Sequence, residues 1–474
     1  MLEGLEITEL KLSEVRGNND SLRFDSEFFQ KEYFYLLDIL SSKSQVKLGG
    51  ITSWITQGPN PIFCESDEFS IPCLTGRNIN KGRVNYLNSD FVDASEYKSL
   101  SRFQVRVGDT LVTLKGKGSI GKIGYVTDER KAIFSRDIGI IRPSGVNHAY
   151  VNAFILSKFG QKLIARGETG GTGQSTLTTS YLKSIFVPRL SIEKSIGDLV
   201  LCSEDIFKKY QLVYEKAENL LLDTLGMADF SPSAEGINVK SFNDSFAATG
   251  RLDAEYYQPK YEQVIAHITA QAHDKLAALV TIKKSIEPGS DEYADDEQGL
   301  PFMRVADYSK YGISPPQKKI KTSFVADNQI KLDELMPKAG TILFSKDGSV
   351  GEAYCLRVDA DFITSGAVLH LAVRNPDKLL PDYLTLALNS RLVKMQAERD
   401  AGGSIILHWR VGEIENVIVP LVDMPTQKKI AALVQESFAL KAESEHLLDV
   451  AKRAVEIAIE QDEAAGMAYI EANS

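Results

Sequence analysis

The sequence predicts an α+β protein in which two tandem copies of one domain are joined by two long antiparallel coiled-coil helices with pseudo-two-fold symmetry. Three observations predict this fold: an internal duplication, short β-branched runs inside each copy, and a long heptad pattern that closes each copy. The chain has 474 residues, which is more than one ordinary hydrophobic core accommodates, so two or more domains are expected.

The duplication is clearest where Arg23–Tyr33 is compared with Arg251–Tyr261. Five of the eleven positions are identical, and two more exchange Phe for Tyr. Later matches follow in the same order: Gly118-Ser-Ile-Gly121 with Gly348-Ser-Val-Gly351, Gly170-Gly171 with Gly402-Gly403, and Pro188 with Pro420. Matches in a fixed order over about 200 residues indicate two copies of one structural unit, roughly 1–228 and 229–474.

Within each copy, short β-branched runs such as Thr110–Leu114 and Thr341–Phe344 predict strands. Helices are expected over about 149–166 and 381–399, each followed by a Gly-rich loop and then by the strand that ends in Val-Pro. The predicted boundaries are a first recognition-type domain at 1–190, a first spacer helix at 191–226, a linker at 227–245, a second domain at 246–422 and a second spacer helix at 423–465.

Each copy closes with apolar residues that alternate at spacings of three and four, a pattern typical of a coiled coil. Ser203 and Ser437 occupy the same position of the two patterns. Two such helices in one chain, separated by a whole domain, most simply pair antiparallel; the alternative is that each packs only on its own domain. The residues predicted to pair are Ile196, Leu199, Ile206, Tyr210, Val213, Leu220, Ile430, Leu433, Leu440 and Leu447.

Composition indicates an ordinary globular protein, with 43% apolar and 25% charged residues. The apolar runs are too short to cross a bilayer, and the acidic N-terminus lacks the features of a signal peptide. The four cysteines show no C-x-x-C spacing, so a reducing cytoplasm is expected. The net charge of −10 excludes a uniformly basic surface but leaves room for a local basic face.

Residues Gly116–Lys122 fit the first seven positions of a phosphate-binding P-loop, G-x-x-x-x-G-K. The eighth position is Ile123, where Mg²⁺ binding needs Ser or Thr, and the second copy has Glu352 in the place of Lys122. Strand-like residues follow the loop where a P-loop needs a helix. A β-hairpin turn is therefore favoured, and a P-loop-like NTPase is kept as an alternative.

Catalytic patterns are absent from the sequence. The six histidines form no H-x-x-x-H pair, no G-x-S-x-G motif occurs, and the one Pro-Pro pair lacks the flanking residues of an adenine-methyltransferase tetrad. We therefore expect no catalytic, cofactor-binding or metal-binding residues in this chain. A coiled-coil scaffold that binds only protein remains a second alternative.

Residues suited to DNA occur in matching loops of the two copies. Arg and Asn read guanine and adenine edges, while Lys and small polar residues contact phosphate. The stretch Thr75–Arg83 offers two Arg and two Asn. The candidates for DNA binding are Arg77, Asn78, Asn80, Lys81, Lys115, Lys117, Lys122, Arg136, Gln174, Ser175, Thr176, Arg304, Lys310, Lys346, Ser404, His408, Trp409 and Arg410.

The chain resembles the specificity subunit of a type I restriction–modification system. The resemblance is carried by the R-x-D-x-E-[FY]-[FY]-Q openings at 23–30 and 251–258, the repeated G-S-[IV]-G turns and Gly-Gly loops, and the strand–proline–glutamine entry at 418–430 into the second long helix. The first copy keeps the strand and Pro188 but lacks the P-x-x-Q pattern.

The resemblance implies a non-catalytic, sequence-specific DNA-recognition subunit. Two target recognition domains would read the two halves of a split sequence in double-stranded DNA, and the helices would set the gap between them. Two methyltransferase (modification) subunits and the restriction/translocase subunits would be its partners, with no membrane involved. S-adenosylmethionine, ATP and Mg²⁺ would be bound by those partners. The readout loops differ between the copies, so the two half-sites are expected to differ.

Overall fold

The computed structural model describes residues 8–17, 19, 23–116, 118–170, 175–294, 298–403 and 405–474. The chain divides into two compact units, residues 1–208 with 440–474 and residues 209–439. Both division points fall inside long helices, so each unit contains a stretch of both. Among the described residues, no helix is long and apolar enough to cross a membrane.

The first copy contains short helices around several small sheets. Its helices are α1 (Leu12–Arg16), α2 (Lys31–Ser41), α3 (Ala94–Ser99), α4 (His148–Leu156), α5 (Lys158–Gly167) and α6 (Thr179–Ser184), followed by the long α7 (Glu193–Thr224). Its strands are β1 (Gln45–Lys47), β2 (Thr52–Gln57), β3 (Ile71–Leu74), β4 (Ile79–Asn80), β5 (Gly82–Val84), β6 (Asp90–Val92), β7 (Thr110–Thr113), β8 (Ile123–Tyr125), β9 (Ile133–Phe134), β10 (Ile138–Pro143) and β11 (Phe186–Pro188).

The second copy repeats this order of elements. Its helices are α8 (Phe246–Thr249), α9 (Pro259–Thr269), α10 (Leu276–Leu279), α11 (Thr322–Leu335), α12 (Pro381–Asn389), α13 (Arg391–Asp400) and α14 (Val411–Ile414), then the long α15 (Met424–Glu460) and α16 (Glu463–Asn473). Its strands are β12 (His273–Lys275), β13 (Val280–Lys284), β14 (Leu300–Met303), β15 (Tyr308–Ser309), β16 (Gly312–Ile313), β17 (Lys318–Ile320), β18 (Ile342–Ser345), β19 (Ala353–Cys355), β20 (Ile363–Thr364), β21 (Val368–Val373) and β22 (Ile418–Pro420).

Sheet topology confirms the duplication predicted from sequence. The order β2–β10–β7–β8 in the first copy corresponds to β13–β21–β18–β19 in the second, and β6–β3–β9 corresponds to β17–β14–β20. The pair β1–β11 likewise corresponds to β12–β22. The copies differ at one hairpin: β4–β5 is joined to the large sheet through β8, whereas β15–β16 forms a separate pair. The mixed α and β composition agrees with the predicted fold class.

A buried tyrosine fixes the closing strand in each copy. The Tyr150 hydroxyl donates a hydrogen bond to the Pro188 carbonyl at 2.6 Å, and Tyr383 donates to Pro420 at 2.8 Å. The donating residues lie on α4 and α12, and the accepting residues end β11 and β22. The two prolines that marked the repeat in the sequence are thus held by equivalent hydrogen bonds.

We expect Tyr150→Phe and Tyr383→Phe each to lower the free energy of unfolding by about 1–2 kcal/mol, because each leaves a buried carbonyl without its donor. Tyr35→Phe is the control, since the Tyr35 side chain is exposed. Urea denaturation of the three variants measures the difference. Equal stability of Tyr150→Phe and Tyr35→Phe would show that the buried hydrogen bond contributes nothing.

The two long helices pair antiparallel in the unit formed by 1–208 and 440–474. Ser203 Oγ donates to the Ser444 carbonyl at 2.7 Å, and Ser444 Oγ donates to the Ser203 carbonyl at 2.6 Å. Ser191, just before α7, donates its backbone N–H to the carboxylate of Glu463, just after α15, at 2.8 Å. Contacts that advance along α7 therefore retreat along α15, as predicted. In the unit formed by 209–439, Tyr214 of α7 contacts Phe438 of α15, with ring centroids 6.3 Å apart.

The predicted heptad register holds for the first half of α7 and is wrong in the second half. Ile196, Leu199, Ile206 and Tyr210 are buried as predicted, but Val213 is only half-buried, and Leu220 is half-buried while it packs against a core. Thr224, the next position of the same alternation, is exposed. The buried residues lie one position later, at Tyr214, Leu221 and Leu225. From Ser203 onward the buried positions therefore recur every eleven residues rather than every seven. The shift occurs near residue 208, where α7 passes from one unit into the other.

On α15 the heptad positions Ile430, Ser437, Ser444 and Leu447 are buried, as the sequence predicts. Leu433 and Leu440 are half-buried and pack against the cores.

Candidate nucleic-acid interface

Strand pairing gathers the loops of the first copy at one edge of its sheets. β3 and β9 are parallel neighbours, so Arg77 and Arg136, which follow them, leave the sheet at the same end. β7 also ends there, because Leu114 donates its backbone N–H to the Asp137 carbonyl at 2.7 Å. The last residue of β2, Gln57, donates its amide to the Arg136 carbonyl at 2.6 Å.

We call Gln57, Arg77, Lys115, Arg136 and Thr176 the strand-end surface of the first copy. Thr176 joins it because its backbone bridges to Lys115 and to Thr169. The Arg77 side chain is 55% exposed and forms an ion pair with Asp90, and the Arg136 side chain is 61% exposed. Both guanidinium groups are therefore open to a ligand, and Asp90 orients that of Arg77.

The second copy forms the corresponding surface. β14 and β20 are parallel neighbours, so Arg304 and Ser365, which follow them, again lie at one edge. Lys346 donates its backbone N–H to the Ala367 carbonyl at 2.9 Å, and Lys284 ends β13 beside β21. We call Lys284, Arg304, Lys346, Asp347 and His408 the strand-end surface of the second copy.

Hydrogen bonds identify equivalent positions on the two surfaces. Leu177 donates to Leu114, and Trp409 donates to Lys346, through the same backbone atoms. The same ladders make Thr75 equivalent to Arg304. The side chains at the equivalent positions differ throughout: Gln57 against Lys284, Thr75 against Arg304, Arg77 against Ala306, Lys115 against Asp347, Arg136 against Gly366, and Thr176 against His408.

Not all of the second surface is open. Lys346 is only 15% exposed and pairs with Asp347, which also lies 2.8 Å from Nδ1 of His408. Arg304 is 39% exposed and lies 3.6 Å from Asp307. His408, at 64% exposure, is the more accessible member of its pair.

Asn78 was predicted to read a base, and the structure gives it an internal role instead. Its side chain is 1% exposed, accepts a hydrogen bond from the backbone of Thr75 at 2.9 Å and donates to the Asn85 carbonyl at 2.9 Å. Asp307 closes the equivalent turn by accepting from the backbone of Arg304 at 2.9 Å. The turn needs a side-chain hydrogen-bond acceptor at this position. The Asn78 amide is therefore engaged within the turn and does not face a base.

The hairpin that follows Asn78 packs on the long helices. A Cβ at Gly82 would come within 2.9 Å of Leu156 and 3.1 Å of Leu448, so the turn between β4 and β5 lies against α4 and α15. Asn80 and Lys81 are exposed on this turn, away from the strand ends. The stretch Thr75–Arg83, predicted as one DNA-reading segment, is thus divided between two surfaces.

Arg83, one of the two arginines of that stretch, is buried in the helix pair. Its Nη2 donates to Ser203 Oγ at 2.8 Å and to Ser444 Oγ at 2.6 Å. Its Nε lies 2.9 Å from Glu204 Oε1, and both side chains are less than one-tenth exposed. Burial raises the pKa of Glu204, and the neighbouring Arg83 opposes that rise. Arg83 therefore joins the recognition-type domain to both helices.

Lys310 has a similar internal role in the second copy, contrary to the DNA-binding prediction. Its ammonium lies 2.6 Å from the Glu218 carboxylate on α7 and 5.3 Å from the Tyr214 ring. The Lys310 pKa is raised even though burial opposes the rise, because Glu218 favours its charged form. The hairpins of both copies thus use a basic residue to contact the long helices.

The Gly116–Lys122 loop is a turn between antiparallel strands. β7 pairs with β8, and Ile123 begins β8 where a P-loop would begin a helix. The structure lacks the helix that a P-loop requires at this position, so the NTPase alternative is not favoured. Lys122 is exposed, whereas Glu352 in the second copy forms an ion pair with Lys394 at 2.9 Å.

The remaining candidates divide by exposure. Ser175 is half-buried, Arg410 is 86% exposed at the start of α14, and Trp409 is 1% exposed, which removes its ring from contact with DNA. Lys117, Gln174 and Ser404 lie outside the described residues.

Titratable groups give no sign of a reactive centre in the part of the chain that the structure describes. No group of three or more His, Cys, Asp or Glu residues there is arranged to hold a metal ion. Burial raises the pKa of Cys73 to about 12 and that of Cys355 to about 11, so both thiols stay protonated at neutral pH.

His370 on β21 is a buried histidine. Its role is to make the stability of the fold depend on pH, and not to catalyse a reaction. It lies 2.8 Å from the Thr364 hydroxyl, and burial lowers its pKa from 6.5 to about 4. Below pH 6.5 the unfolded chain takes up a proton there and the folded chain does not, so stability falls until about pH 4.

We expect the free energy of unfolding to fall by about 2 kcal/mol between pH 7 and pH 5 because of His370. His370→Gln keeps a hydrogen-bonding group for Thr364 and removes the titration, so its unfolding curve should be flatter over that range. Urea titrations at pH 5, 6 and 7 provide the comparison. An identical pH slope in the variant would mean that His370 is protonated in the folded state.

Residues 275–448 match a family model described as the type I restriction modification DNA specificity domain. The match includes the strand-end surface of the second copy and reaches into α15. No curated protein matches the chain.

The chain is similar to solved structures of type I restriction-modification subunits, among them the following three. The S subunit of a type I restriction-modification system from M. genitalium is 13% identical, with 88% of this chain and 95% of that chain covered and a TM-score of 0.38. The HsdS subunit from Thermoanaerobacter tengcongensis is 16% identical, with 88% and 97% covered and a TM-score of 0.28. A chain from a study of complex assembly and conformational transition of the type I R-M system is 15% identical, with 88% and 98% covered and a TM-score of 0.28. At these TM-scores the likenesses carry no argument about function.

Proposed function

We propose that the whole chain is the sequence-specific DNA-recognition subunit of a type I restriction–modification complex, because residues 275–448 match the model of the type I restriction modification DNA specificity domain. The first copy lies outside the matched range. Its sheets nevertheless share the order of all strands except the β4–β5 hairpin with those of the second copy, which supports assigning it the same activity.

The observation that carries the proposal is the pair of strand-end surfaces. The two copies place equivalent positions on the same arrangement of strands, and the side chains at those positions differ. Two domains with the same strand arrangement and different contact residues suit a bipartite target whose two half-sites have different sequences. Exposed guanidinium groups at Arg77 and Arg136 supply base and phosphate donors in one copy. Lys284 and Arg304 supply them in the other.

Other exposed positions are alike in the two copies. Phe24 is 74% exposed and Leu252 is 77% exposed at the same repeat position, and Glu27 and Glu255 follow at identical spacing. Equivalent surfaces suit two copies of one partner, and the proposed partners are two methyltransferase subunits. Restriction/translocase subunits would join that complex.

In this proposal the chain is not an enzyme and binds no cofactor. S-adenosylmethionine for adenine methylation, and ATP with Mg²⁺ for translocation and cleavage, would be bound by the partner subunits in the cytoplasm. The acidic net charge of −10 is compatible with this arrangement, because phosphate contacts can be shared with the partners.

Footprinting of the complex reconstituted with its methyltransferase subunits tests the proposal. We expect two protected half-sites that differ in sequence and are separated by an unread spacer. Mapping of adenine methylation in cells with and without the gene would identify the target. A single continuous site, or no sequence preference, would falsify the proposal. If salt-sensitive DNA binding is absent while partner binding persists, the coiled-coil scaffold is the correct alternative.

A further inference from the structure

A loop of the second copy presents an apolar tip beside its strand-end surface. Ile405 is 95% exposed, Ile406 is 54% exposed and Leu407 is 40% exposed. Consecutive exposed aliphatic residues are costly on a free surface and often mark a contact with a partner. The equivalent loop of the first copy, Gly170–Ser175, is polar in sequence.

The base of this loop is held by backbone hydrogen bonds. Gly402 and His408 exchange two of them, at 3.1 and 2.7 Å, and Gly348 donates to the Leu407 carbonyl at 2.8 Å. Gly403 has a φ of +137°, and a Cβ there would lie 2.1 Å from the Ile406 carbonyl, so only glycine fits this bend. These hydrogen bonds close the base of the loop and hold the apolar tip in place.

The surroundings of the tip are polar and partly basic. His408 lies at the base of the loop and contacts Asp347, while Lys346 accepts the backbone N–H of Trp409 at 2.7 Å through its carbonyl. The guanidinium of Arg410, which is 86% exposed and lies 4.0 Å from Glu413, follows two residues later. An exposed Arg410 near an apolar tip suits a DNA groove, where phosphates flank the base edges.

DNA offers an apolar side chain two kinds of contact. The methyl group of thymine projects into the major groove and needs no distortion of the duplex. The faces of the bases are reached only by unstacking, at a cost of a few kcal/mol per step. Aliphatic side chains can make either contact, but only the methyl contact avoids the cost of unstacking, so it is favoured for the exposed Ile405 and Ile406.

We propose that Ile405 and Ile406 read thymine methyl groups in the half-site recognised by the second copy. This inference rests on the proposed function and adds to it a specificity determinant. It also distinguishes the copies, because the first copy has no apolar residue between Gly170 and Ser175.

The test uses the reconstituted complex and a duplex that carries its own bipartite target. In a second duplex, deoxyuridine replaces thymidine throughout one half-site and so removes only the methyl groups. For the half-site of the second copy, we expect wild-type affinity to fall about fourfold per contacted methyl. Ile405→Ser/Ile406→Ser should bind the thymine duplex with the same reduced affinity and should not distinguish the two duplexes.

Ile330→Ser is the matched control, because Ile330 is 81% exposed on α11 and lies outside the strand-end surface. Ile330→Ser should distinguish the thymine duplex from the uracil duplex as well as the wild type does. The wild type should bind with unchanged affinity when only the half-site of the first copy carries uracil, because the equivalent loop of that copy has no apolar residue. The inference is overturned if the double variant still discriminates, if the second half-site contains no A·T pair, or if the variant loses methyltransferase binding while its DNA preference persists. Absence of any sequence-specific binding would overturn the proposed function as well, which separates the two failures.

Discussion

Arg83→Met is expected to lower the free energy of unfolding of the unit formed by 1–208 and 440–474 by about 3–5 kcal/mol. The change removes the only cation placed within 3 Å of the buried Glu204 carboxylate among the described contacts, at 2.9 Å. It also leaves the Ser203 and Ser444 hydroxyls without the guanidinium that bridges them. Glu204 would keep only its weaker interactions with Lys208 and Thr127. Burying a carboxylate that has lost its ion pair costs more than the pair contributes, so Arg83→Met should lose more stability than a variant in which both charges are removed. Differential scanning calorimetry and urea denaturation measure the loss.

The control for this prediction is Arg83→Met/Glu204→Gln, which removes both charges. We expect the double variant to regain most of the lost stability, because a neutral amide is cheaper to bury than a lone carboxylate. Lys310→Met provides a comparison in the other copy. Its partner Glu218 is 31% exposed, so the loss should be only about 1 kcal/mol. If Arg83→Met and the double variant unfold at the same denaturant concentration, the buried charge pair does not determine the effect.

Arg77→Ala/Arg136→Ala is expected to weaken binding of the complex to its target by about 100-fold, with the sequence preference changed in one half-site only. Each arginine that reads a base contributes about 1–3 kcal/mol, and each that contacts a phosphate contributes to the salt dependence. Both side chains are more than half exposed and lie at the same end of paired strands. Affinity measured on a library of half-site variants, at several salt concentrations, resolves the two contributions.

Arg106→Ala is the matched control for the arginine pair. Arg106 is exposed and precedes β7, so it lies at the opposite end of the strand that leads to Lys115. Its removal should leave affinity and preference unchanged. A loss of preference in both half-sites after the double change would contradict the assignment of one half-site to each copy. Unchanged affinity would remove the strand-end surface of the first copy from the interface.

Several features of the fold could be predicted because each depends on a few neighbouring residues and occurs in both copies. The shared prolines Pro188 and Pro420 mark equivalent strands, and the glycines near 118 and 348 mark equivalent turns. The sequence also distinguished the Gly116–Lys122 turn from a P-loop, because Glu352 occupies the position of Lys122 in the second copy. Repetition supplied an internal comparison that a single domain would lack.

The candidate site was predicted less well, because residue type does not say which way a side chain points. Asn78, Arg83 and Lys310 have the chemistry of DNA contacts, yet they hold a turn or pair with the long helices. Gln57 and Lys284 were missed, although they end equivalent strands beside the candidate loops. Aligning the two copies strand by strand would have placed both at the same edge.

By itself, the sequence determined the duplication, the α+β composition, the two long helices and the type of turn in each glycine loop. These features depend on periodicity and on conformations that glycine and proline impose over a few residues. Only the tertiary structure decided which polar residues face solvent at the strand ends and which face the helices. It also decided that the buried face of α7 shifts by one residue after Tyr210. These outcomes depend on partners far apart in the chain, such as Arg83 with Ser444, and no local pattern records them.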